Sequence, residues 1–113
     1  MKRFQSLVAR LLLVPALLSP HSGGAHHSGA MFDRSKTVTL AGTIKEYQFT
    51  NPHVWIEVMV PGKKGDPVQW SIEGEAPALM SRLGLKPSAL KAGDKVTVKT
   101  HPLRDGRSGG SFV

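Results

Sequence analysis

The chain has 113 residues, no cysteine and a formal net charge of +7. This length holds one modest domain, and without cysteine neither disulfide staples nor a thiolate-based zinc or catalytic site is available. The charge does not mark a nucleic-acid binder: Lys2, Arg3 and Arg10 lie in a segment that reads as removable, taking +7 to +4, and the other basic residues are interleaved with acids rather than gathered in a stripe.

Met1 to Ala25 has the parts of a cleavable export signal: Lys2 and Arg3 at the start, an apolar run from Leu7 to Leu18, and small residues Gly23 and Ala25 at the positions three and one before a cut. A spanning helix needs about 20 apolar residues, and Arg10 and Pro15 interrupt this run. No transmembrane anchor is therefore expected after cleavage, and the expected location is periplasmic or secreted. Loss of 25 residues from 113 leaves 88 for the fold. A cut after Gly24 is the alternative.

Residues 26–36 are polar with an apolar insert at Ala30, Met31 and Phe32, and read as an irregular lead-in. The domain proper is expected over 37–113. From Thr37 to Glu46, Val38, Leu40 and Ile44 alternate with Thr37, Thr39, Thr43 and Lys45, the pattern of a half-buried strand. Gly42 breaks the inward series and suggests a bulge or sharp bend. Thr50-Asn51-Pro52 supplies turn residues, and a second strand from His53 to Val60 points Val54, Ile56, Val58 and Val60 inward and His53, Trp55, Glu57 and Met59 outward.

Pro61 to Pro67 is a polar hairpin connection, followed by a third strand from Val68 to Glu73 with Val68, Trp70 and Ile72 inward. The period then changes. Leu79, Met80 and Leu83 recur at helical spacing over Ala76 to Leu83, and Gly84 can end that short helix. A turn at Leu90 to Asp94 precedes a fourth strand, Lys95 to His101, with Val96 and Val98 inward. Asp105-Gly106 and Gly109-Gly110 mark a hairpin, and Ser111-Phe112-Val113 begins a fifth strand. Three strands, one short helix and two strands match an all-β, five-stranded OB-like Greek-key barrel. A small open sandwich is the rival, and closure is favoured because it removes exposed edges.

Several runs carry a family resemblance: Ala25-His26-His27-Ser28, Met31-Phe32-Asp33-Arg34, Val38-Thr39-Leu40-Ala41-Gly42-Thr43-Ile44-Lys45-Glu46 and Thr50-Asn51-Pro52-His53-Val54-Trp55-Ile56. Trp70-Ser71-Ile72-Glu73-Gly74, Leu90-Lys91-Ala92-Gly93-Asp94-Lys95-Val96 and His101-Pro102-Leu103-Arg104-Asp105-Gly106 add to it. Together they resemble a family of small exported bacterial proteins of unknown function, over nearly the whole mature chain. The resemblance implies export and a compact β domain and brings no activity.

The chemistry turns on the cut. After Ala25, His26 offers an α-amine and an imidazole from one residue, a bidentate set that suits copper when another imidazole joins it, with His27 adjacent. After Gly24, a terminal Ala25-His26-His27 places histidine third, the arrangement for square-planar Cu(II) or Ni(II). The plain alternative is a solvated His-rich terminus. His53 and His101 are the further ligand candidates; both fall on the outward face at strand ends, and in an OB order the two strands flank the first. Otherwise His53 bonds the turn and His101 caps a strand.

Tyr47, Trp55 and Lys45, read as outward, form a second candidate: a stacking face for a protein or saccharide partner. Against it, an exposed Trp is an apolar liability, so Met31 or Phe32 is expected to cover Trp55. Glu57, Glu73 and Glu75 have no spacing of a catalytic pair, Ser28, Ser71 and Ser111 have no nucleophile elbow, and no glycine-rich phosphate loop precedes a helix. The expectation is a non-enzyme: an exported β-barrel binding a transition metal, copper above others, with an envelope interaction module as the alternative.

Overall fold

A computed structural model describes residues 29–113. The export signal expected over 1–25, both expected cleavage points, and His26 and His27 lie outside the described residues. A 3-10 turn, Gly29–Met31, leads into β1 (Val38–Gln48), β2 (Trp55–Pro61), β3 (Pro67–Glu73), the helix α1 (Pro77–Arg82), β4 (Lys95–Pro102) and β5 (Gly109–Phe112). The strands close in the order β1-β2-β3-β5-β4. β4 pairs back onto β1, and β3 with β5 is the parallel pair. That is the OB-like barrel the alternation predicts, with the helix between the third and fourth strands. The short β5 is bonded on both sides, to β3 and to β4, so closure is complete at the end of the chain.

The inward residues of β2, Ile56 and Val58, with Val54 just before the strand, are the centre of the core, buried together with Leu40, Ile44, Ile72, Met80 and Val98. β1 serves two partners in turn, pairing β4 over Val38 to Thr43 and β2 from Thr43 to Gln48. The changeover demands a sharp bend. Gly42 stands there, where a Cβ would overlap the Met59 carbonyl oxygen, so no larger residue fits the close approach of the two backbones.

The register slip of β1 lies further along, between Ile44 and Glu46, where Lys45 is the unpaired extra residue. One inserted residue exchanges the two faces of a strand beyond it. Tyr47 consequently stands opposite Ile56 and packs against the core. This corrects the expectation of an outward Tyr47. Its ring meets Phe49 edge-on at 5.8 Å between centroids, and its hydroxyl donates to the Lys86 carbonyl at 3.2 Å. Burial raises its pKa. Tyr47→Phe is expected to cost about 1 kcal/mol in urea unfolding, the net value of one hydrogen bond; no change in midpoint would mean that the hydroxyl bond contributes nothing.

Two other inward expectations fail for identifiable reasons. Val68 is 37% exposed because the Val60–Val68 and Pro61–Pro67 pairs lie beyond Thr43–Met59, the last β1–β2 pair, with no strand across from them. Leu79 and Leu83 are also exposed, and only Met80 of the helix is fully buried. α1 has six residues, fewer than two turns, so it seals the barrel with one side chain rather than a stripe. Gly84, at φ +94°, follows it. Thr100, an unexpected buried polar residue, donates its hydroxyl proton to the Ser111 carbonyl at 2.8 Å and stitches β4 to β5.

Candidate functional site

The cross-strand pairings set up one row on the outside of the barrel. Gln48 of β1 faces Trp55 of β2, which faces Glu73 of β3, then Ser111 of β5 and His101 of β4. Alternation alone puts Trp55, Glu73 and His101 on that surface; the parallel β3–β5 pairing brings Glu73 and His101 within one strand of each other. The next row holds Glu57, Ser71 and Gly109. Gly109 leaves the space that Leu103 Cδ1 fills, since a Cβ there would sit 2.9 Å from it.

The lead-in covers this surface. Phe32 is buried and bridges Leu103, the Asp33 amide donates to the Pro102 carbonyl at 2.8 Å, and the Arg104 amide donates to the Met31 carbonyl at 2.9 Å. Arg104 Nε adds a bond to the Ala30 carbonyl at 3.0 Å. The turn after Phe32 is held by Asp33, whose carboxylate accepts from the Ser35 hydroxyl at 2.6 Å and its amide at 3.1 Å. Those bonds hold the Asp33 carboxyl below the usual carboxylate range, with the Arg104 charge adding to the effect.

Two cavities remain between lead-in and barrel, and they share Phe32 and Glu73 as walls. The first, about 220 Å³, is polar: His53, His101, Glu73, Glu75 and Arg34 line it, and Gly29 stands at its edge. The structure thus brings His53 and His101 to one pocket. Their surroundings are specific. His53 Nδ1 lies 2.8 Å from Glu73 Oε1, and Glu73 is only 7% exposed. A carboxylate so far from water needs such a partner. His101 Nδ1 lies 2.7 Å from the Lys36 carbonyl oxygen. Among the described residues, no group of three or more His, Asp or Glu is placed to hold a metal ion.

The second cavity, about 380 Å³, is lined by Trp55, Met31, Phe32 and Leu103, with Arg107 and Ser71 among its polar groups. Met31 and Phe32 do share this space with Trp55, as the apolar cost of an open indole demands. The stacking face proposed from Tyr47, Trp55 and Lys45 does not form as one surface: Tyr47 is turned to the core, and Lys45 donates to Gln69 Oε1 at 2.6 Å. Gln69 and Ser71 in turn donate to Glu57 Oε2 at 2.9 and 2.7 Å. This is a self-satisfied polar patch beside the Trp55 row.

Glu73 and Arg34 are the pocket residues that sequence reasoning missed. Glu73 was legible as outward on its strand, but its role depends on a ring two strands of sequence earlier. Arg34 is placed by the lead-in, which has no periodicity to read. No described helix is long and apolar enough to cross a membrane. Comparison with curated proteins and with solved structures gave no match. A family model does match over residues 16–112, and the chain belongs to that family, the Family of unknown function DUF6152.

Proposed function

We propose that this small β-barrel is an exported protein that binds a transition metal, copper in the first place, with its N-terminal histidines and the polar pocket acting together. The observation that carries this is the meeting of His53 and His101 in one cavity that has Gly29 at its edge. Gly29 follows His27 by two residues and His26 by three. The N-terminal histidines thus precede the pocket closely in sequence.

Two imidazoles alone make a weak site. A processed terminus at His26 adds an amine and a third imidazole, and nitrogen ligands of this kind favour copper over harder cations. Export is part of the same reading, because removal of residues 1–25 is what frees that amine. Protein with an authentic His26 terminus is expected to bind one equivalent of Cu(II) with submicromolar affinity, read by titration and electron spin resonance. Acetylating the amine, or substituting His101→Ala, is expected to weaken binding at least tenfold. Absence of a copper-dependent absorption or resonance signal in the processed protein would sink the reading.

A further inference from the structure

We infer that the cleft beside Trp55 is a binding site for a neutral pyranose sugar, which lays the C–H face of its ring on the indole and turns its hydroxyls to polar groups at the rim. Copper plays no part in this site, and neither pocket histidine is needed for it. The cleft has two sides. Trp55, Ser71 and Gly109 stand on the barrel, while Met31 and Phe32 come from the lead-in and Arg107 from the β4–β5 connection. The sides are fixed to each other, because the Arg104 amide donates to the Met31 carbonyl at 2.9 Å and the Asp33 amide to the Pro102 carbonyl at 2.8 Å. A cleft already held in place spares its ligand the ordering cost of closing it.

At about 380 Å³ the cleft has the volume of a small-ligand pocket, about 300–1,000 Å³. A wholly apolar ligand would leave Ser71, Glu73, Ser108 and Arg107 facing it without hydrogen bonds. An ion is not selected either, since the walls carry one acid, Glu73, and one base, Arg107. What matches is an uncharged ligand with one flat apolar face and an edge that both donates and accepts. A pyranose with equatorial hydroxyls has that form, and its polarised C–H bonds suit the negative face of an indole. The rim can meet its hydroxyls in both senses. Arg107 Nε donates to Asp105 Oδ2 at 2.7 Å, which leaves the two Nη groups as donors; among the described residues neither they nor the Ser108 hydroxyl has a partner. Ser71 donates its hydroxyl proton to Glu57 Oε2 at 2.7 Å, so its oxygen is left to accept.

The test uses the full chain with a chelator present, cellobiose as the probe, and the indole Nε1–H resonance of Trp55, assigned through Trp55→Phe. Cellobiose is expected to shift that resonance saturably, with a Kd of about 1 mM, while the indole of Trp70, which packs against the core, stays in place. Sorbitol has the hydroxyls without the ring face and is expected to shift neither. Read from the sugar by saturation transfer, Trp55→Ala is expected to weaken binding about tenfold. Trp55→Phe is expected to keep part of the affinity. Arg107→Ala, at a position exposed enough to leave the fold intact, is expected to weaken binding severalfold; circular dichroism checks the fold of each variant. No saturable shift with cellobiose, or unchanged binding in Trp55→Ala or Arg107→Ala, overturns the site. A shift of equal size with cyclohexanol also overturns it, because the cleft would then select any apolar ring. Each result is obtained without metal and so decides the sugar site whatever the outcome for copper.

Discussion

Gly110→Ala is expected to lower the stability of the barrel by about 3 kcal/mol, at the upper end of the cost of forcing one carbon into a packed interior. Gly110 is buried in β5, between Ile72 of β3 and Pro102 of β4. A methyl there would overlap Thr100 Oγ1 and the His101 carbonyl oxygen. The first of these groups cannot simply rotate aside. Thr100 is fully buried and its hydroxyl already bonds the Ser111 carbonyl across the same seam, so displacement sacrifices a buried hydrogen bond as well as packing. The second is main chain of β4, and moving it separates the strands that close the barrel.

The requirement is for space, not for backbone freedom, since the positive-φ glycines are Gly65, Gly84, Gly93 and Gly106. For a domain of this size a loss of that order is a large share of the total stability of about 5–15 kcal/mol. Urea unfolding followed by far-ultraviolet dichroism reads it as a fall in midpoint. A variant that unfolds at the original midpoint would show that β5 can drift outward at no cost and that closure does not hold the fold together.

That seam also marks where the sequence stopped being informative. Alternation into and along β2 is unbroken, and Val54, just before the strand, with Ile56 and Val58 in it, is at the core as the spacing requires. Tyr47 is on the opposite face from its reading because Lys45 is an extra residue, and nothing local in Lys45-Glu46-Tyr47 distinguishes a bulge from a continuing strand. The bulge follows directly on the changeover of partners, where β1 leaves β4 after Thr43 and continues against β2, and such an extra residue bends the strand and sharpens its twist. Gly109-Gly110 reads as a turn but lies inside β5, since glycine is needed there for close approach rather than for reversal.

At the candidate site, residue type identified His53 and His101, but the expected route through β1 does not join them: His101 lies past its Val38 end and His53 past its Gln48 end, and the β3–β5–β4 side of the barrel brings them to one cavity. Glu73 was not foreseeable, because its partner ring lies in the turn before β2 and the contact exists only once β2 and β3 are side by side. Lys36 contributes a main-chain atom, which no side-chain pattern encodes. The pocket is therefore half written in residue identity and half in the docking of an aperiodic segment onto the barrel.

That docking depends on Phe32, and Phe32→Ala is the substitution with the largest expected effect on the site. Phe32 is 7% exposed yet stands apart from the main core cluster, packing instead between lead-in and barrel. Truncating a buried Phe costs about 3–5 kcal/mol. Here the loss is expected to fall on attachment of residues 29–36, because the barrel ladder closes without them. At 1.4 kcal/mol per tenfold, the lower figure corresponds to a local opening equilibrium shifted by about two decades. Hydrogen exchange of the Asp33 and Arg104 amides, which bond across the joint, should accelerate by that factor while amides of β2 and β3 keep their protection. On the proposed metal-binding reading, copper affinity is expected to drop in parallel, since the Lys36 carbonyl in contact with His101 belongs to the same segment and Phe32 is a shared wall of the two cavities. Uniform acceleration across β2 and β3 would instead make the lead-in part of the cooperative core. Unchanged exchange at Asp33 would mean that the ties through Arg104 and Pro102 suffice without the ring.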